Sequence, residues 1–268
     1  MFPWIWEPIP LFELLIVQSL YLLAVGPLRH RFSGSAPVGR GTIVAFSLGI
    51  VSAALALVTP LDALSVHLLS AHMIQHLLLT MVTAPLLLIG TPAWLARPYL
   101  RNRTVARLAH TITRPLPALL IFNAIFLGWH VPALYDLALR SLPIHILEHL
   151  LFLGAALVAW WPILSPLPEI PRATYPVQIL YLFVQSIPPT IVGAIIALAD
   201  EPIYPTYAAM PRVWDIDVMT DQTVGGLIMW IPGALIFLVA LTVVWFIWMN
   251  DNDQAETVIY GETVEGRR

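Results

Sequence analysis

Seven apolar stretches, at roughly 10–28, 42–60, 65–90, 115–138, 143–164, 175–199 and 223–249, occupy most of the chain. Each is close to the ~20 residues that a helix needs to cross a bilayer. No other feature restricts the fold as strongly. In hydrocarbon the backbone must satisfy its own N–H and C=O groups, and segments of this length do so as helices. Only 11% of the residues are charged, against about 25% in a soluble domain. That is too little charge to cover a water-facing surface. The expected fold is an all-α membrane protein. Residues 1–250 form a seven-transmembrane helix bundle, and 251–268 form a polar cytoplasmic tail that reads as disordered. Prolines 85, 132, 188, 189 and 232 lie inside or near the ends of these spans. In a bundle, neighbouring helices can satisfy the backbone groups they free, so they read as kinks.

The arginines orient the bundle. Segments after spans 1, 3 and 5, with the tail, carry Arg29, Arg31, Arg40, Arg97, Arg101, Arg103, Arg107, Arg114, Arg172, Arg267 and Arg268. The opposite side carries Arg140 and Arg212. Basic loops stay on the cytoplasmic side, so the N-terminus is expected outside and the C-terminus in the cytoplasm. The opening MFPWIWEPIP has no basic segment and does not resemble a cleavable signal peptide. Its Trp4 and Trp6 sit where an interfacial aromatic belt would be.

The side chains that carry chemistry are histidines. Cysteine and lysine are absent, which excludes disulfides, thiolate metal sites and a lysine Schiff base. His30 and His110 fall in arginine-rich inner loops. The other six histidines fall on the outer half. Counting 1.5 Å per residue from the outer ends, His72, His130 and His149 lie about 10, 12 and 9 Å down three different spans. His76 lies about 16 Å down and His145 about 3 Å. His72 and His76 are spaced i,i+4 on one helical face, and so are His145 and His149. Paired imidazoles one turn apart can aim at one ion. A single membrane histidine more simply bridges helices by a hydrogen bond. Five in the outer half, three of them at matched depth, on costly intramembrane positions, point to a site. His67 would lie about 180° from His76 on a continuous helix and ranks second.

Other polar groups rank lower. Glu148 flanks the His145/His149 face, either to orient an imidazole or as a carboxylate near the interface. Asp62, Asp136 and Asp200 stand at outer span ends and read as caps or as a funnel for cations. Met210 and Met219, in the outer loop at about 200–222, are soft but weak candidates for copper capture. Met73 reads as packing. Asn123, and the pair Gln178 and Gln185, repeat a seven-residue spacing that keeps one helical face.

Imidazole suits zinc, copper, iron and nickel. Without cysteine, a site of His with optional Met or carboxylate fits copper, and chemistry alone equally permits zinc. Haem is a third option, though paired HxxxH motifs crowd one face and suit a compact ion better. No serine-nucleophile motif, phosphate loop or nucleotide fingerprint is present; no enzyme and no nucleic-acid partner is expected, but histidine clusters in membranes also hold catalytic zinc or iron, so a metal-dependent enzyme stays open as an alternative.

The stretches AHMIQHLLL, GWHVPALYDLAL, HILEHLLFLGAALVAWWP, QSIPPTIVGAIIALADEPIYPTYA and QTVGGLIMWIPG together resemble the CtaG family of multispan bacterial membrane proteins. The resemblance covers roughly residues 1–250. It implies a seven-span assembly factor for cytochrome c oxidase in the bacterial plasma membrane, with oxidase subunits and membrane lipid as partners. It also implies a role in copper delivery, with His72, His76, His130, His145 and His149 as the motif histidines. The expectation is a copper ion held between spans 3, 4 and 5 at the outer leaflet and passed to an apo-oxidase subunit. The alternatives are a haem-binding or electron-transfer protein, a membrane metal-dependent enzyme using Glu148 as base, and a metal transporter. The nearly apolar inner half counts against the transporter.

Overall fold

The computed structural model of the chain describes residues 8–265, with side chains described through residue 252. Trp4 and Trp6 lie outside the described residues. All regular structure among the described residues is helical: α1 (Pro8–Val25), α2 (Arg40–Leu57), α3 (Pro60–Ser65), α4 (Leu69–Leu77), α5 (Ala84–Gly90), α6 (Ala93–Ala96), α7 (Arg103–Ile112), α8 (Pro115–Trp129), α9 (Pro132–Arg140), α10 (Leu142–Leu164), α11 (Tyr175–Ala197), α12 (Pro205–Ala209) and α13 (Val218–Glu265), with short 3₁₀ turns at Arg29–Arg31 and Arg97–Arg101. α4 and α5 form one helix joined by a π-helical turn, Leu78–Thr83. Six helices are long and apolar enough to cross a membrane, and a seventh span exists if α7 and α8, which meet at 79°, count together. The chain is a multi-pass helical membrane protein.

Two expected spans are cut differently. The fourth stops at Trp129 instead of running to 138. Val131 precedes Pro132, and the proline ring disfavours the helical region for the residue before it. Val131 is accordingly extended, at φ −66° and ψ 125°, and α9 starts afresh. The third begins at Leu69, with α3 a separate turn before it. The last helix continues through the segment read as a disordered tail, to Glu265. That segment contains no proline, and a helix already nucleated in the membrane extends without a new nucleation cost.

Small residues bring the helices close. A Cβ on Gly226 would stand 2.5 Å from Ala197 N and 2.7 Å from Gly193 O, so α11 and α13 touch backbone to backbone there. Such close approach supplies the dispersion contacts that drive association where lipid is as apolar as leucine. A Cβ on Gly90 would stand 2.4 Å from Phe46 N. Tyr21 stacks on Phe46 at 3.7 Å and donates to Gly90 O at 2.7 Å, fastening α1, α2 and α5.

The polar side chains inside the bundle also join helices. Asn123 of α8 donates to Gln185 Oε1 of α11 at 3.2 Å. Buried Asp221 of α13 accepts from Leu69 N (2.7 Å), Ser70 N (3.1 Å) and Ser70 Oγ (2.5 Å). The residue before α4, Leu68, provides no side-chain cap, so a carboxylate from another helix satisfies these amides. Opposite charge at a helix N-terminus is also favourable.

α3, α9 and α12 gather at one end of the bundle. α6, α7 and both 3₁₀ turns gather at the other, which carries Arg29, Arg31, Arg97, Arg101, Arg103 and Arg107. α7 buries no residue and sits nearly perpendicular to α8, with Arg103 and Arg107 on it.

Candidate metal centre

Three features of α4 place its histidines. Asp221 sets where the helix begins. The i,i+4 spacing stacks His72 above His76. The π-turn then opens directly below His76. This turn has a local cause: Pro85 lacks an N–H, and in a regular helix its ring would meet the carbonyl four residues back. The wider turn relieves that clash, with Ala84 N–H bonded to Leu79 O. Among the carbonyls of the turn, Thr80 O accepts from Trp160 Nε1 at 3.0 Å and Leu78 O from Ser52 Oγ at 3.3 Å.

His72 and His76 face α10, where His145, Glu148 and His149 occupy one turn. His72 is fully buried and Glu148 is 1% exposed. His72 Nε2 lies 2.9 Å from His76 Nε2, and Glu148 Oε1 lies 3.8 and 3.9 Å from the two. A tetrahedral ion with bonds of about 2.0–2.1 Å separates its donors by roughly 3.3–3.4 Å, so these three spacings bracket what one ion requires. The rings of His145 and His149 pack 4.3 Å apart; His145 is 5.5 Å from His72, and His149 is 5.5 Å from His76.

The hydrogen bonds around the cluster set the imidazoles up as ligands. His130 Nδ1 is 2.7 Å from Phe126 O. A carbonyl only accepts, so Nδ1 carries the proton and Nε2 bears the lone pair. Tyr207, from α12 in the loop before α13, donates to Ser65 O at 2.7 Å and lies 3.3 Å from His72 Nδ1. With its hydrogen committed to Ser65, its oxygen accepts from His72 Nδ1–H, which leaves His72 Nε2 bare. Burial, and the Asp221 and Glu148 charges behind it, push the Tyr207 phenol well above its ordinary range, so it stays a donor. Tyr135 (3.3 Å from the Tyr207 hydroxyl) and Tyr204, donating to His130 O at 3.2 Å, complete a tyrosine cover over the site. Arg212 ties the cover down by donating to Tyr207 O and Met210 O.

Apart from the contact between His72 Nε2 and His76 Nε2, the donors have no hydrogen-bond partner. His130 Nε2, His145 Nε2, His149 Nε2, His76 Nδ1 and both Glu148 carboxylate oxygens are buried without a hydrogen-bond partner. Each such atom costs about 1–3 kcal/mol if left unsatisfied. Helix-bridging histidines would spend these ring nitrogens in hydrogen bonds to a neighbouring helix, and these atoms have none. The set fits a cation: neutral imidazole lone pairs with one carboxylate to offset charge.

The structure thus brings His72, His76, His145, His149 and Glu148 into one cluster. His130 adjoins it instead of entering it: its ring packs on Phe126 at 4.3 Å, and Phe152 stands between it and His76, 6.3 Å from one and 4.4 Å from the other. Glu148 moves from the second rank to the centre; its burial excludes the interfacial role considered from sequence. His67 lies in the turn between α3 and α4, off the His72/His76 helix. Asp62 accepts from Gln75 Nε2 at 2.6 Å, and Asp136 accepts from Thr206 N at 3.2 Å, capping α12. Asp200 is exposed beyond the end of α11. Met210 ends α12, and Met219 lies in the first turn of α13. His30 and His110 are exposed at the arginine-rich end.

Sequence reasoning missed Tyr207, for which nothing local signals a role. Met73 packs in the core as read from sequence, and it also lines a cavity of about 40 Å³ below the cluster, with His76, Met81, His130, Phe152 and Met229. The HILEH spacing was a usable signal for Glu148, which shares a turn with both of its histidines. A family model described as cytochrome c oxidase caa3 assembly factor matches residues 19–251. No curated protein and no solved structure matches.

Proposed function

The chain belongs to the family of cytochrome c oxidase caa3 assembly factors, and from that premise we propose that it holds copper as cargo at the histidine–glutamate cluster and passes it to an oxidase subunit. The observation that carries this reading is the convergence of buried donors from α4 and α10, with both Glu148 oxygens and the Nε2 atoms of His145 and His149 lacking a hydrogen-bond partner. Charge favours the monovalent ion. One carboxylate and neutral imidazoles around Cu(I) sum to zero, whereas a divalent ion leaves a net charge in a medium that penalises it. The arginine-poor end, where the cluster lies, faces outward in a bacterial plasma membrane by the positive-inside rule. The cluster is then one tyrosine layer from that surface, and an oxidase subunit docked there would receive the ion by ligand exchange.

A haem reading needs space for a macrocycle. The cluster's rings pack 4.2–6.4 Å apart and the cavity beside them holds about 40 Å³, against several hundred for a cofactor pocket. A hydrolytic reading has a specific support, because Glu148 stands beside both imidazoles, where a general base would be needed. Glu148→Gln separates the two readings. Loss of a ligand empties the site, whereas loss of a base leaves the ion in place and removes turnover.

The test is metal analysis of the purified wild type against the His72→Ala/His76→Ala double variant, with the copper content of the oxidase in the same cells. The wild type should retain close to one copper, the variant should lose it, and the oxidase should be copper-deficient. Equal, near-zero copper and zinc in both proteins would overturn the proposal.

A further inference from the structure

Below the cluster, the cavity of about 40 Å³ has an unusual lining. Three methionines line it: Met73 from α4, Met81 from the π-turn and Met229 from α13. Two imidazoles border it, His76 and His130. Both are buried, and His130 Nε2 and His76 Nδ1 have no hydrogen-bond partner. The space is about that of one water, sufficient for an ion and too small for an organic ligand.

The backbone departs from regularity at the π-turn of the helix that supplies two of the methionines, and prolines stand near the cavity on the other two helices. Met81 lies within the π-turn, a form that often marks functional sites. Met229 lies three residues before Pro232 of α13. α11 borders the cavity with Pro189, adjoining Pro188. Methionine's thioether is a soft donor that selects Cu(I) over zinc.

We propose that this cavity is a second, soft cation site that takes Cu(I) from the histidine–glutamate cluster, with Met73, Met81 and Met229 as its sulfur donors and His130 as its nitrogen donor. This rests on the copper reading above and deepens it. His76 borders both places, so an ion can move between them by exchanging ligands one at a time, with no change of oxidation state. The upper site, with a carboxylate, accepts hard and borderline cations. The lower site, with thioethers and no carboxylate among its lining residues, rejects divalent ions. The pair would therefore discriminate Cu(I) from zinc.

The experiment is X-ray absorption on the full chain in lipid nanodiscs, loaded anaerobically with Cu(I) or separately with Zn(II). Wild type with Cu(I) should show sulfur neighbours, and with Zn(II) only nitrogen and oxygen. The Met73→Leu/Met81→Leu/Met229→Leu variant, which roughly conserves volume, should lose the sulfur shell and keep Zn(II) binding, which also reports that the upper cluster is folded. A wild-type Cu(I) spectrum with only nitrogen and oxygen neighbours overturns the inference and leaves the copper reading standing. So does a sulfur shell that survives the triple substitution. A wild type that takes up no copper overturns both. If the triple variant fails to fold, the wild-type spectrum and single Met→Leu variants decide between the same outcomes.

Discussion

At the scale of single residues, the site depends on which ring nitrogen of each histidine bears the proton. Phe126 O sets this for His130 and Tyr207 sets it for His72. Partners of this kind typically contribute 10–100-fold in metal affinity. Tyr207→Phe should therefore weaken copper binding by about that factor, read by competition against a chelator. Tyr204→Phe should have a smaller effect, because its hydroxyl meets only the backbone carbonyl of His130. Equal loss in both variants would mean that the tyrosine cover acts as a lid and not by fixing the His72 tautomer. Histidine spacing made the positions of His72, His76, His145 and His149 legible in the sequence. Tautomers depend on Tyr207, 135 residues from His72, and no local pattern encodes a partner that distant.

At the scale of elements, the cluster is held in register by contacts between helices. Asp221 fixes the start of α4 from α13. Asp221→Ala should lower stability by about 1–2 kcal/mol, the cost of a lost helix cap, seen as a lower unfolding midpoint in detergent. It should weaken copper binding as well, since His72 lies three residues beyond the capped amide. An unchanged midpoint would show that water replaces the carboxylate. The α11–α13 contact gives a second test. Gly226→Ala would force a methyl to within 2.5 Å of Ala197 N, an overpacking that costs about 1–3 kcal/mol. Gly154→Ala, where an added Cβ meets nothing within 4 Å, should be neutral or stabilising, since alanine is the better helix former. Apolar runs announced most of these helices. Their breaks were less legible: Pro132 was read as a kink, yet with Val131 extended it ends the helix.

At the scale of the whole molecule, orientation is the property with functional weight, because the proposed route requires the cluster end to face outward, where an oxidase subunit could receive an ion. The absence of cysteine from the chain makes the test clean. Glu201→Cys, at the cluster end, should react with a membrane-impermeant maleimide in intact cells. Thr104→Cys, exposed on α7, should react only after permeabilisation. The reverse labelling would turn the site toward the cytoplasm and remove the proposed route to the oxidase. The sequence by itself determined that the chain is a helical membrane bundle and that six of its eight histidines gather in one half. Hydrocarbon solvent dictates the first, and helical periodicity with span length dictates the second. Only the tertiary structure decided that Glu148 stands at the centre, that His130 adjoins the cluster from the cavity side, and that Met73, Met81 and Met229 share a cavity. Helix rotation and tilt are set by close contacts such as Gly193 against Gly226, and by side chains such as Asp221 and Tyr207 that reach across the bundle. Those are relations between segments distant in the chain, which a reading of periodicity along one segment does not contain.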